Sequence, residues 1–425
     1  MKTRSRRNFL RAGLLGLAGL PILSEARQKD LFQSWEQLGK SLSTKEDEAY
    51  WEEISDQFSF EDGFTYFNTG SLGPCPKFIV KATNGFRATL DGFPSKYMWG
   101  GWQEEKEKVR TKVAQLMKAD EEEIALIHNT TEGMNLIASS MDLKKGDEVI
   151  LCDHEHMSAV APWRFHQESK GIKLVRPKLP ILPESKEELV EVFRKAITKK
   201  TKVISVVHLT NTNGMILPIK EISEMAHEKG ILVAVDGAQS SCSIDFGLQD
   251  LGCDFYANSA HKWLFSPKGM GIFYAKKKAQ KLLTPMIVAR GYKDKSIRRF
   301  ENYNTRNLPE YLGVGAAVDY RNEIGHERIV GRHYELKRYF RDKVSNIEGL
   351  KLKSPAADDL SGPIQAVEVL GKDVWKVKRA LAEEYKIDCR PMSTHGLNAL
   401  RISLSLCTSK KDVDYLLKAL EEQTA

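Results

Sequence analysis

Val233-Ala234-Val235-Asp236-Gly237-Ala238-Gln239-Ser240 closes an apolar run on a carboxylate, and Asn258-Ser259-Ala260-His261-Lys262-Trp263 carries a lysine 26 residues further on. A short apolar run stopped by Asp-Gly reads as a strand buried on both faces, the kind a parallel sheet uses. Further strands are expected on either side, at 123–128, 148–153, 173–176, 202–209, 254–258 and 271–275. Helical periodicity separates them at 187–197 and 219–229, and a helix is expected from Thr131. Strands alternating with helices predict an α/β fold, a mostly parallel central sheet with helices on both faces. Beyond about 305 the pattern changes to long charged helices (325–344, 372–384) and short strands (364–370, 400–406), which predicts a smaller α+β C-terminal domain. The expected division is a leader at 1–26, an N-terminal segment at 27–84 with scattered aromatics (Phe32, Trp35, Tyr50, Trp51), a large domain at 85–304 and a small domain at 305–425.

The chain has 425 residues, 41% apolar and 28% charged, too polar for a polytopic membrane protein and too apolar for a disordered one. Most of its net charge of +7 sits in the leader, where Lys2, Arg4, Arg6, Arg7 and Arg11 face only Glu25, so charge gives no case for a nucleic-acid partner. Six cysteines show no CxxC spacing, which supports neither a disulfide scaffold nor a zinc knuckle; Cys152 and Cys242 read as small core residues. Ser5-Arg6-Arg7-Asn8-Phe9-Leu10-Arg11 resembles a twin-arginine export signal. The stretch 12–23 is short of the roughly 20 residues a bilayer span needs. Ser24-Glu25-Ala26 offers a cleavage site. The expectation is export to the periplasm by the twin-arginine machinery, with retention as an uncleaved anchor as the variant.

In open α/β sheets chemistry gathers at the carboxyl ends of the strands. Separately, a lysine is usually a solvated charge and Asp-Gly a common turn. Together Asp236 and Lys262 supply an anion for a pyridinium nitrogen and an amine for a Schiff base, the two needs of pyridoxal phosphate. Asn129-Thr130-Thr131-Glu132-Gly133, between strand and helix, reads equally as a phosphate cradle and as a plain capping box. Cys152-Asp153-His154-Glu155-His156 offers a His-x-His pair, but too few ligands follow for zinc, and no metal is expected. Arg401, opening a strand, reads as a carboxylate clamp or as a strand-edge ion pair.

These motifs, in this order, resemble the class V aminotransferases, a branch of the fold-type I pyridoxal-phosphate enzymes that includes cysteine desulfurases, selenocysteine lyases and isopenicillin N epimerases. The resemblance runs from about Tyr66 to Leu420. It implies that Lys262 forms the Schiff base, that Asp236 partners the pyridinium, and that Gln239 and Asn211 bond the ring hydroxyl. His156 is implied to stack on the ring. Thr130, Thr131, Ser259 and His261 become phosphate ligands, and Thr305 reaches the phosphate of a partner subunit, implying a homodimer with shared sites. Arg401 would take the substrate carboxylate, and the segment of Tyr66-Phe67-Asn68-Thr69-Gly70, Asn68 included, would line the substrate side. The aromatic Lys96–Trp102 stretch, written in full as Lys96-Tyr97-Met98-Trp99-Gly100-Gly101-Trp102, shapes a pocket or simply packs.

One departure bears on the reaction. Desulfurases of this group carry a sulfur-accepting cysteine shortly before the carboxylate arginine, and the interval 391–400 holds none. Cys389 reads as a strand end, poorly placed for attack, so a persulfide route is disfavoured. The expectation is therefore an enzyme acting at Cα of an amino acid, by transamination or epimerisation. The alternatives are a C–S lyase and a binding or regulatory protein that kept the fold without its chemistry. No helix-turn-helix pattern or basic density precedes Tyr66 to favour a DNA-binding regulator.

Overall fold

The computed structural model describes residues 47–424; the expected export signal, its cleavage position, Phe32 and Trp35 lie outside them. Among the described residues the central sheet has seven strands: β1 (Ile124–Ile127), β2 (Glu148–Ile150), β3 (Lys173–Val175), β4 (Thr201–Val207), β5 (Leu232–Asp236), β6 (Phe255–Asn258) and β7 (Gly271–Ala275). Their spatial order is β1-β7-β6-β5-β4-β2-β3. Strands β2 to β6 are mutually parallel, and β7 runs antiparallel between β6 and β1.

Alternation along each strand feeds two cores. Val233 and Val235 face one, together with helices Lys77–Gly92, Gln103–Met117, Lys186–Ala196 and Ile219–His227. Ala234 faces the other, closed by Thr130–Ser140 and Met157–Lys170. The helices on both faces are thus a consequence of strands with no polar face.

Helix Leu308–Ile324 is one of the elements the periodicity does not announce. It is buried on nearly every side, so it carries no amphipathic stripe, and it extends the first core past residue 305. The next helix, His326–Val344, leaves that core at Ile329 and enters a third one through Leu336, Phe340 and Val344. That third core belongs to the small antiparallel sheet β8 (Leu350–Leu352), β9 (Ile364–Val369), β10 (Arg390–Met392) and β11 (Ala399–Ser403), ordered β10-β11-β9-β8.

The N-terminal segment joins the two bodies. Thr65–Tyr66 pairs in parallel with Ile387–Asp388, and Ser403 N donates to Phe67 O at 2.8 Å. The chain then crosses to the large domain, where Gly73 N donates to His261 O at 2.9 Å. A Cβ on Gly73 would lie 1.9 Å from the carbonyl oxygen of Lys262, so only glycine permits this approach.

Candidate active site

Asp236 ends β5 and lies in register with Ala257 of β6; Lys262 sits in the turn after β6. Asp236 is buried, its Oδ1 accepting from Ala238 N at 2.9 Å. Burial pushes its carboxyl upward, while that bond and the charges of Lys262 and His156 pull it back. Burial draws the Lys262 amine down to about 8; Asp236 resists, and Arg401 and Arg390 add to the fall. The result is a half-buried amine whose charge is felt by a buried carboxyl, with the amine closer to neutrality than an ordinary lysine.

The phosphate question resolves into separate parts. Asn129 caps helix Thr130–Ser140 by accepting from Glu132 N at 3.0 Å, and Glu132 returns a bond to His128 N at 2.7 Å. The cap therefore occupies Asn129 and Glu132 and leaves Thr130 to other work. Thr130 N and Oγ1 meet Ser259 Oγ at 3.1 and 2.9 Å, so the loops after β1 and β6 converge. Thr131 is exposed at the same helix start, where the first amides have no intrahelical acceptor. His261 holds a buried Nδ1 with no partner among the described residues, and burial beside Lys262 draws it down to about 4.

His156 caps helix Met157–Lys170 through Nδ1, which accepts from Ser158 N at 3.2 Å; burial lowers its imidazole, with Asp236 opposing and the charge of Lys262 adding to the fall. His154 goes elsewhere: its Nδ1 meets Thr212 Oγ1 at 2.7 Å and its ring stacks on His395 at 4.8 Å. Gln239 is spent on the scaffold as well as the site, donating to Gly70 O at 2.7 Å and accepting from Trp263 Nε1 at 2.9 Å. Asn211 offers its carbonyl to Arg401 Nη1 at 3.3 Å.

Arg401 is 1% exposed and has no carboxylate partner among the described residues. Its Nη2 donates to Asn68 Oδ1 and to Ser71 Oγ, both at 2.6 Å, and its Nε is unpartnered. Asn68 is itself fixed by a 3.0 Å bond to Asp388 Oδ2. Burial, with Arg390 opposite it on β10, lowers the guanidinium to about 9. A buried cation held by neutral groups is costly unless an anion arrives, so the geometry is that of a receptor for a carboxylate. Ser71 and Arg390 were not singled out from sequence. Ser71 lies one residue past the quoted segment, and Arg390 meets Arg401 only through strand register. Thr305 is exposed and stands outside this cluster within one chain.

An amine, a buried carboxyl, a hydroxyl pair at a helix start and an orphaned imidazole nitrogen form a set that fits pyridoxal phosphate. A family model described as aminotransferase class V matches residues 96–416. The chain belongs to the class V aminotransferase family. The class V chain is 30% identical to isopenicillin N epimerase of Streptomyces clavuligerus over 398 residues, 88% of this chain and 99% of that one. It is 32% identical to a probable cysteine desulfurase of Halalkalibacterium halodurans over 337 residues, 74% of this chain and 81% of the other. Among solved structures, the apo cysteine desulfurase of Thermococcus onnurineus NA1 superimposes with a TM-score of 0.76 at 23% identity, covering 88% of this chain and 98% of that one. In this class V chain Cys389 is buried between β10 and the strand Ile387–Asp388, and burial, with Asp388 beside it, pushes the thiol up to about 12.

Proposed function

We propose that this protein is a pyridoxal-phosphate enzyme acting at Cα of an amino acid, by transamination or by epimerisation. The observation that carries the reading is Arg401, a buried guanidinium without a carboxylate partner among the described residues, placed near a half-buried lysine of lowered basicity. Bound pyridoxal phosphate supplies an electron sink for charge developing at Cα. Arg401 would take the substrate carboxylate in place of the missing anion. The Lys262 amine would move the Cα proton, its lowered pKa making the neutral, basic form accessible near neutrality. Asp236 would hold a proton at the ring nitrogen, His156 would cover one ring face, and Thr130, Ser259 and His261 would hold the phosphate. The epimerase relative, similar over nearly its whole length, supports this choice.

The desulfurase relatives favour a C–S lyase as the second reading. A persulfide route needs an accessible thiolate, and Cys389 is buried and hard to ionise. Incubating the holoprotein with a panel of amino acids separates the readings. Keto acid or racemised substrate supports the first, and sulfide from cysteine supports the second.

Two further parts of the proposal concern the whole protein. The chain is exported by the twin-arginine machinery to the periplasm, and it works as a homodimer in which Thr305 serves the partner's phosphate site. Fusing the first 30 residues to a reporter tests the first of these. Replacing Arg6 and Arg7 by lysine should strand the reporter in the cytoplasm, and continued export would remove the claim.

A further inference from the structure

Arg390 opens β10 directly opposite Arg401 on β11, and residues opposite each other in an antiparallel pair share a face. Like charges so placed destabilise a sheet unless something neutralises them. Among the described residues both guanidiniums bond only neutral groups: Ser71 for Arg390, and Ser71, Asn68 and the Asn211 carbonyl for Arg401. Asp388, whose charge reaches Arg401, is bonded to Asn68 instead.

One hydroxyl receives both arginines. Ser71 Oγ accepts from Arg401 Nη2 at 2.6 Å and, more weakly, from Arg390 Nη1 at 3.4 Å, so the two nitrogens lie no farther apart than the sum of those bonds, 6.0 Å. With both lone pairs taken, the hydroxyl keeps only its proton to give. Arg390, Arg401 and Ser71 are thus a set of donors facing no acid. Arg401 is 1% exposed and forms the floor, Ser71 is half-buried, and Arg390 is exposed above them. A solvated surface arginine would leave the site untouched. The charge of Arg390 instead bears on Arg401, Lys262 and His156, adding to the fall of each.

We propose that Arg390 selects amino acids with an acidic side chain, taking the side-chain carboxylate while Arg401 holds the α-carboxylate. The inference deepens the proposed function and rests on its assignment of Arg401. The close approach of the two arginines suits carboxylates separated by the two or three carbons of aspartate or glutamate.

The test compares substrates matched in shape and different in charge, on the holoenzyme at constant ionic strength. Glutamate over glutamine, or aspartate over asparagine, should show a kcat/KM ratio of about ten or more, the scale of a charge-assisted pair. Arg390→Met should bring that ratio to about one, Arg390→Lys should leave it between, and Arg390→Glu should push it below one. A second readout needs no turnover, because glutarate and valerate carry two carboxylates and one, and neither has an amine to react. By calorimetry glutarate should bind the wild-type holoenzyme about tenfold more tightly than valerate, and Arg390→Met should remove the difference. An acid-to-amide ratio near one in the wild type overturns the inference. So does a ratio that Arg390→Met leaves in place while lowering both rates, since both arginines would then serve the α-carboxylate. If no amino acid is turned over, the proposed function falls, and the comparison of glutarate with valerate decides this inference alone. Should Arg390→Met fail to fold by circular dichroism, Arg390→Gln replaces it in both assays.

Discussion

At the residue scale, the buried charges make the sharpest claims. Lys262 titrates near 8 in the folded protein without cofactor against an ordinary value of 10.5. Below pH 8 it is charged in both states and its burial costs stability; between 8 and 10.5 the unfolded chain binds the extra proton, so stability rises with pH. Replacing Lys262 by methionine should therefore stabilise the apoprotein by up to about 3 kcal/mol at pH 7, a gain that fades above pH 10. Urea unfolding of both apoproteins across that range checks it, and a constant difference would mean the amine is not desolvated. The same variant should lose the visible absorbance of the holoprotein. Arg401 makes the complementary case. Arg401→Met removes the carboxylate receptor and should raise KM for the amino acid by a factor matching a few kcal/mol, whereas Asn68→Ala, which only frees the guanidinium to move, should cost less. Steady-state kinetics of the two variants would expose an Arg401 that merely supports the fold, since kcat and KM would then hold while stability fell.

Among elements, glycines mark where packing sets the site. Helix Thr130–Ser140 lies so close to β6 that a Cβ on Gly133 would come 2.5 Å from Ala257 Cβ and 3.0 Å from Ile127 Cδ1. Alanine favours a helix by about 1 kcal/mol over glycine, but overpacking a rigid sheet costs about 1–3 kcal/mol, so Gly133→Ala should destabilise and push Thr130 off Ser259. Gly92 has nothing within 4 Å, and Gly92→Ala should be neutral or slightly stabilising. Thermal melts with a cofactor titration would show both effects together. The same packing explains what could be read from the chain beforehand. The strands that carry Asp236 and precede Lys262 were legible because a parallel sheet demands uninterrupted apolar runs with polar ends. Helix Leu308–Ile324 was not, because a helix buried all round loses the periodicity that announces it. Arg401 was legible as a clamp or an ion pair, and only the fold shows that its partners are neutral. Ser71 and Arg390 were hidden because register between β10 and β11, and the crossing of the N-terminal segment, exist only in three dimensions.

For the whole molecule, the open question is whether one chain completes its own site. Thr305 bears a hydroxyl at an exposed position outside the Lys262 cluster, and the proposal makes it a ligand of the partner's phosphate. Hybrid dimers distinguish that arrangement from a merely local role. A Lys262→Ala homodimer should be inactive, and a Thr305→Val homodimer should need more cofactor for half-maximal activity, by about tenfold for one lost phosphate hydrogen bond. In a hybrid of one Lys262→Ala chain and one Thr305→Val chain, the second chain keeps its own Lys262. If Thr305 acts across the interface, that site receives an intact hydroxyl from the Lys262→Ala partner, and the hybrid should show half of wild-type activity at wild-type cofactor affinity. If Thr305 acts within its own chain, the only site with a lysine lacks the hydroxyl, and the hybrid should titrate like the Thr305→Val homodimer. Differently tagged chains, purified through both tags and titrated with pyridoxal phosphate, read the two outcomes from one curve. The midpoint carries the answer, and recapture of the titrated sample through both tags checks that the hybrids have not exchanged back to homodimers, because exchange leaves the amplitude at half and moves the midpoint to the Thr305→Val value.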